Sequence, residues 1–254
     1  TLSTIGGGNS NSAAADFTTV AGGTSNIASG ICGAVGGGNQ NVAGPGLNST
    51  VPGGFHNVAS GDNSFAAGTF ANAIDTCSFV WADCCIGPGG LVTPLFSTGF
   101  NSWTARATGG FYLLTACDSA FNSALPSSGV YVPAGGSSWL SGSHSSLKEN
   151  IVPVDGEDLL DKLDGLDIKR WNYRAQDPSI EHIGPMAEDF YATFGVGDNA
   201  FTLSSIDPAG IALAAVKELH KKTKQLEEQS RKIDELEARL DKLTQIVESS
   251  KKDK

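Results

Sequence analysis

The first 142 of these 254 residues contain no lysine and no glutamate; Arg106 is their one basic residue, and Asp16, Asp62, Asp75, Asp83 and Asp118 are their only acids. Acid and base work on a glycosidic bond needs two carboxylates held together on a rigid surface, and five scattered aspartates offer no such pair. The net charge of −10 supplies no field for a phosphate backbone. Neither half carries a Lys/Arg cluster interleaved with aromatics, so nucleic-acid binding is excluded. No apolar run approaches about 18 residues, so no membrane-inserting helix is expected. No charged-then-apolar leader opens the chain and residue 1 is Thr, which reads as the C-terminal part of a longer protein. The five cysteines, Cys32, Cys77, Cys84, Cys85 and Cys117, are odd in number. At least one is therefore free or pairs with another chain in an oxidising compartment. Their spacing fits no zinc pattern, and neither a metal nor a cofactor is assigned.

What is present changes abruptly near residue 142. Of the 44 charged side chains, 38 fall in the last 112 residues, whereas 26 of the 32 glycines fall before residue 143. So much glycine leaves little to form helix and permits many tight turns, so the first part reads as β structure or disorder. Order is favoured by a repeat. The segments beginning at Ile5, Val20, Val35, Val51 and Ala66 and ending at Asn11, Asn26, Asn41, Asn57 and Asn72 align at spacings of 15, 15, 16 and 15. A flexible Gly/Ser linker has no reason to keep an apolar residue, a glycine pair and an asparagine in register. The expected unit is one solenoid coil per repeat. Its apolar residue (Ile5, Val20, Val35, Val51) faces inward, its glycines take positive φ, its Asn bonds its own backbone in a turn, and Ala28, Ala43 and Ala59 line the return. A coil this short buries little, so stability must come from stacking and from other chains.

The reading divides the chain into a β-roll head over 1–75, a β-rich transition or neck over 76–142, a small α+β domain over 143–210 and a coiled coil over 211–254. In the neck, Phe79–Trp81, Trp103–Arg106 and Phe111–Leu114 suggest short strands. Trp81, Trp103 and Trp139 are read as packing between subunits in preference to stacking on a cell-surface glycan. From residue 143, Asp155–Leu166 is amphipathic, Asp167–Tyr173 extended and Met186–Phe194 helical. Leu219, Leu226, Ile233, Leu240 and Val247 as a, with Lys222, Gln229, Leu236 and Leu243 as d, then form a heptad seam, with Lys232 and Glu237 as a g–e pair. Polar d positions fix register and strand number, and Ala212, Ala214 and Ala215 allow close helix approach.

The string Asn57-Val-Ala-Ser-Gly-Asp-Asn-Ser-Phe-Ala-Ala-Gly68 and its upstream relatives resemble the head repeats of trimeric autotransporter adhesins across about residues 3–75. The resemblance implies left-handed parallel β-rolls packed in threes. Leu147-Lys-Glu-Asn-Ile-Val-Pro-Val-Asp155, Trp171-Asn-Tyr173 and His182-Ile-Gly-Pro-Met-Ala-Glu-Asp189, with the closing coiled coil, resemble the intramolecular chaperone of endosialidase-type phage tail spikes over roughly 143–245. That resemblance implies a trimer that templates folding of the upstream fibre and then cuts the chain with a Ser–Lys dyad. The matching residues are Ser143 as nucleophile and Lys148 as base, with His182 in support. The sequence departs from the family pattern at His144, where Asp is usual, and at Ser146.

The combined expectation is a homotrimeric surface or virion fibre, an adhesin or tail fibre with itself as partner and a cell-surface glycan or matrix receptor as its target. Any enzymatic act would be one self-directed serine endopeptidase cut. The alternative is a tail-spike enzyme acting on polysaccharide, its catalytic domain lying upstream of residue 1. No membrane-anchoring barrel follows the coiled coil, which disfavours a self-secreting autotransporter.

Overall fold

The computed structural model describes residues 2–86, 91–115 and 129–252, with side chains through Ile246. Cys117, Asp118 and the side chain of Val247, invoked above, lie outside that description. The chain divides into two compact units, Thr1–Glu149 and Asn150–Lys254.

In the first unit every coil contributes short strands to two parallel sheets. One sheet takes Thr4–Ile5, Thr19–Val20, Ala34–Val35, Thr50–Val51, Phe65–Thr69, Phe79–Ala82 and Trp103–Arg106 in that order; the other takes Ser12–Ala13, Ile27–Ala28, Val42–Ala43, Val58–Ala59, Ala71–Ala73 and Leu95–Phe96. This is the expected parallel β-solenoid. Its ladder runs beyond residue 75, because Val80 pairs with Ala66 and with Thr104. The core between the sheets is thin. Val20, Val35, Val51 and Val80 come from one side and Ala28, Ala43, Ala59 and Ala73 from the other, all essentially inaccessible to water. Ile5, expected inside, is 47% exposed, because its coil stacks on a neighbour on one side only.

The asparagines do more than close their own turns. Asn41 Nδ2 donates to Gly37 O of its own coil and to Gly54 O of the next, both at 2.9 Å, while its Oδ1 accepts from Asn57 N at 3.0 Å. Asn26 repeats the arrangement one coil earlier and Asn57 one coil later. Buried polar groups must be paired, and each asparagine pairs groups of two successive coils. Asn72 does not extend this column. The chain is one residue shorter between Ala66 and Gly68 than between Val51 and Gly54, so Gly54 pairs with Gly68 and Asn72 stands beside Val58, leaving Asn57 Oδ1 to accept from Ala71 N. The glycine preceding each asparagine by three is required twice over. Gly38 has φ +85°, and a Cβ there would strike the carbonyl oxygen of Gly54 in the next coil.

The solenoid's last rung is tied by Arg106, the one Lys or Arg before residue 143. Arg106 Nε donates to Asp83 Oδ1 at 2.9 Å and its NH groups to Thr93 O and Asp83 O, while Thr108 N and Oγ1 donate to Asp83 Oδ2. Burial alone would raise the Asp83 carboxyl; the Thr108 and Arg106 hydrogen bonds and the guanidinium charge outweigh it and hold it below the usual carboxylate range. An antiparallel sheet of Gly110–Leu113, Val130–Pro133 and Leu140–Ser141 follows, with Tyr112 and Tyr131 stacked at 5.5 Å in register.

The second unit holds three helices, α1 (Gly156–Asp164), α2 (Ala187–Phe194) and α3 (Ile206–Lys252), and a hairpin of Lys169–Trp171 with His182–Gly184. Asp155 caps α1 by accepting from Glu157 N and Asp158 N. Gly195 at φ +65° ends α2. Ser204 Oγ accepts from Ile206 N and Asp207 N at the start of α3. The long terminal helix read from the heptads is present and unbroken over 47 residues.

Candidate functional site

Ser143 and Lys148, the candidate pair, sit at the end of the first unit. Residues five apart in extended chain stand about 17 Å from one another. Here the 3-10 turn Ser145–Leu147 folds the segment back, closed by Leu147 N donating to His144 O and Lys148 N donating to Ser145 O, each at 3.1 Å. As a result Lys148 Nζ donates to Ser143 Oγ at 2.9 Å. That separation lies within reach for proton transfer between a nucleophile and its base. Both side chains are exposed in the single chain.

The third sequence candidate is placed differently. His182 belongs to the second unit, where its ring lies 4.7 Å from Trp171 and 5.5 Å from Tyr173, and Nε2 is 2.9 Å from Gln176 Oε1. The structure brings Ser143 and Lys148 together, and gives His182 an aromatic cluster of its own. Trp171 Nε1 in that cluster is buried without a hydrogen-bond partner among the described residues.

Sequence reading passed over a second pairing in the turn. His144 Nδ1 accepts from Ser146 N at 3.2 Å and lies 2.8 Å from Ser146 Oγ. The available signal was an acceptor side chain immediately before a short polar turn, the arrangement of a helix N-cap. Among the described residues no cluster of three His, Cys, Asp or Glu side chains could hold a metal, and no helix is long and apolar enough to cross a membrane. Cys32, Cys77 and Cys84 are exposed and Cys85 half-buried, all four as free thiols.

Among the described residues, the second unit leaves many more large apolar side chains exposed than buried. Leu159, Leu166, Phe190 and Ala215 are its only buried apolar side chains among the described residues. Along α3, Leu219, Leu226, Ile233, Leu236, Leu240, Leu243 and Ile246 are each more than half exposed. All but Ile246 fall on the a and d positions of the heptad.

No curated protein and no solved structure matches the chain. Residues 143–195, the segment that begins at Ser143 and spans Lys148, α1, the hairpin and α2, match the model of a family described as the chaperone of endosialidase.

Proposed function

We propose that the chain is part of a homotrimeric fibre, of the adhesin or tail-fibre kind, located at a cell surface or on a virion. Residues 150–254 drive its trimerisation and the folding of the β-solenoid, and the turn at Ser143–Lys148 then cuts the chain. The observation that carries this reading is the uncovered seam of α3. Six leucines and isoleucines at a and d positions stand in water in a single chain, and a monomer gains nothing from that arrangement. Burial between helices stabilises such side chains by roughly 1.5–3 kcal/mol each when complete. A three-stranded coil fits a solenoid whose valine and alanine core is too thin to stand without other chains.

The cut follows from the dyad. Neutral Lys148 Nζ takes the proton of Ser143 Oγ as the oxygen attacks an adjacent backbone carbonyl. The peptide C–N bond then breaks as Nζ passes the proton to the leaving amine, and water hydrolyses the resulting ester. An exposed lysine keeps its charge, whereas covering it in an assembled trimer favours the neutral amine. Cleavage thereby reports assembly.

Denaturing gels of wild type, Ser143→Ala and Lys148→Met test this reading, together with native mass. Wild type is expected to split near residue 143 and both variants to stay whole. If all three split, the dyad is not the cutting site. If none splits while all are trimeric, the terminal unit is a permanent trimerisation cap.

A further inference from the structure

The geometry points to His144 as a positioning residue that makes the Ser143–Lys148 pair sensitive to pH; we propose that its neutral imidazole holds the turn on which the pair depends. The inference rests on the cleavage reading above and adds its control.

A backbone N–H can only donate. Because Ser146 N points at His144 Nδ1 at 3.2 Å, that nitrogen must carry the lone pair, and the ring is neutral with its proton on Nε2. Ser146 Oγ, 2.8 Å from the same atom, then donates as well. Nδ1 is thus the acceptor at the start of Ser145–Leu147, where the first N–H groups have no partner within the turn. This short turn has two closing bonds, to His144 O and Ser145 O, so its side-chain cap is a large share of what holds it. The turn is also what closes the gap between Ser143 and Lys148.

A proton on Nδ1 places two donors, Ser146 N–H and the imidazolium N–H, against each other and removes the cap. Imidazole is the side chain whose charge changes between pH 5 and 8. Lys148 and Glu149 are the other titratable groups of the segment, and Lys148 is engaged with Ser143. Among the described residues no carboxylate or cation of another element lies within hydrogen-bond or ion-pair distance of the His144 ring. Protonation of the ring therefore disengages the dyad on the acid side. Two protons must leave for cleavage below neutrality, one from Lys148 and one from His144.

The test is the rate of self-cleavage of the full chain from pH 5 to 8.5 in wild type, His144→Asp, His144→Asn and His144→Ala, with Ser143→Ala as the uncut control. Asp and Asn keep an oxygen acceptor that does not titrate in this range. Log rate against pH is expected to steepen from a slope of one toward two at the acid end in wild type and to keep a slope of one in Asp and Asn. Between pH 7.5 and 5 the wild type should lose on the order of tenfold more rate than His144→Asp. His144→Ala should be slower at every pH, and Asn should restore it. Identical profiles in wild type and His144→Asp overturn the inference while leaving the dyad in place. Absence of cleavage at any pH in wild type overturns the cleavage reading and this inference with it. An independent measurement uses 15N-labelled histidine and serine in Ser143→Ala: the Ser146 amide must shift with the His144 ring titration, and an amide that stays fixed overturns the cap.

Discussion

Replacing Asn41 by alanine isolates what couples one coil to the next. Asn41 is fully buried and its side chain makes bonds to Gly37 O, Gly54 O and Asn57 N. After truncation Gly54 O keeps the Asn39 N–H, and Gly37 is only half-buried, so both carbonyls retain some recourse. Asn57 N–H has none, since Asn57 is fully buried and its amide hydrogen points at the missing oxygen. An orphaned buried donor costs about 2 kcal/mol and each of the two other lost bonds about 0.5, for a total of about 3 kcal/mol. The comparison is Asn9→Ala, whose exposed side chain accepts from Ser10 Oγ alone and whose loss should stay within about 0.5 kcal/mol. Urea unfolding followed by circular dichroism, in a Ser143→Ala background and at one fixed protomer concentration, reads both. With slopes of about 1–3 kcal/mol per molar, the Asn41 variant should unfold about 1–3 M earlier. Equal midpoints for the two variants would refute the idea that the buried asparagine column joins the coils.

The glycines should separate by place. Gly38→Ala, with φ +85° and the Gly54 carbonyl in the way, should cost more than about 2 kcal/mol, whereas Gly22→Ala, with open space at its Cβ, should stay within about 0.5 in the same urea series. Arg106→Met should lower stability by about 1–3 kcal/mol, because it strips one charge-assisted bond from a carboxylate that is only 20% exposed and two from the carbonyl oxygens of Asp83 and Thr93. The Asp83 carboxyl is depressed in the fold, so its stabilising share is complete above the unfolded carboxylate value near about 3.9 and is lost as pH falls through the lower folded value. An acid titration of unfolding should therefore show a step below about pH 4 that Asp83→Asn lacks. On α3, Leu236→Asp with Leu240→Asp should abolish association in sedimentation and lower the solenoid's unfolding midpoint with it, since both side chains face water in one chain and the solenoid core is too thin to stand without other chains.

The solenoid was legible because its period is imposed by geometry: a coil that must return beneath itself repeats its inward valine, its crowded glycine and its asparagine at nearly constant spacing. Val20, Val35 and Val51 followed that rule, and Ile5 departed from it because, among the described residues, its coil has a neighbour on one side only. The asparagine bridge between coils was out of reach, since a sequence reveals that Asn recurs but not which coil its amide addresses. Asn72 was misplaced for a related reason. A one-residue shortening between Ala66 and Gly68 moves the later partners, and spacing counted between the inward apolar residues does not reveal it. The continuation of the ladder to Thr104 was hidden because it lies 24 residues after its partner Val80, well beyond the period of the earlier coils. At the site, the five-residue spacing of Ser143 and Lys148 was visible, and the turn between them makes that spacing a contact. His144 read only as a departure from a family pattern, because an N-cap is recognised by where its acceptor points.

The central claim is that the terminal unit is incomplete without two further copies. Sedimentation equilibrium of full-length Ser143→Ala at micromolar concentration measures it most directly. The account predicts a single species near three times the chain mass of 26.2 kDa, and a stable, folded species at the mass of one chain would contradict it.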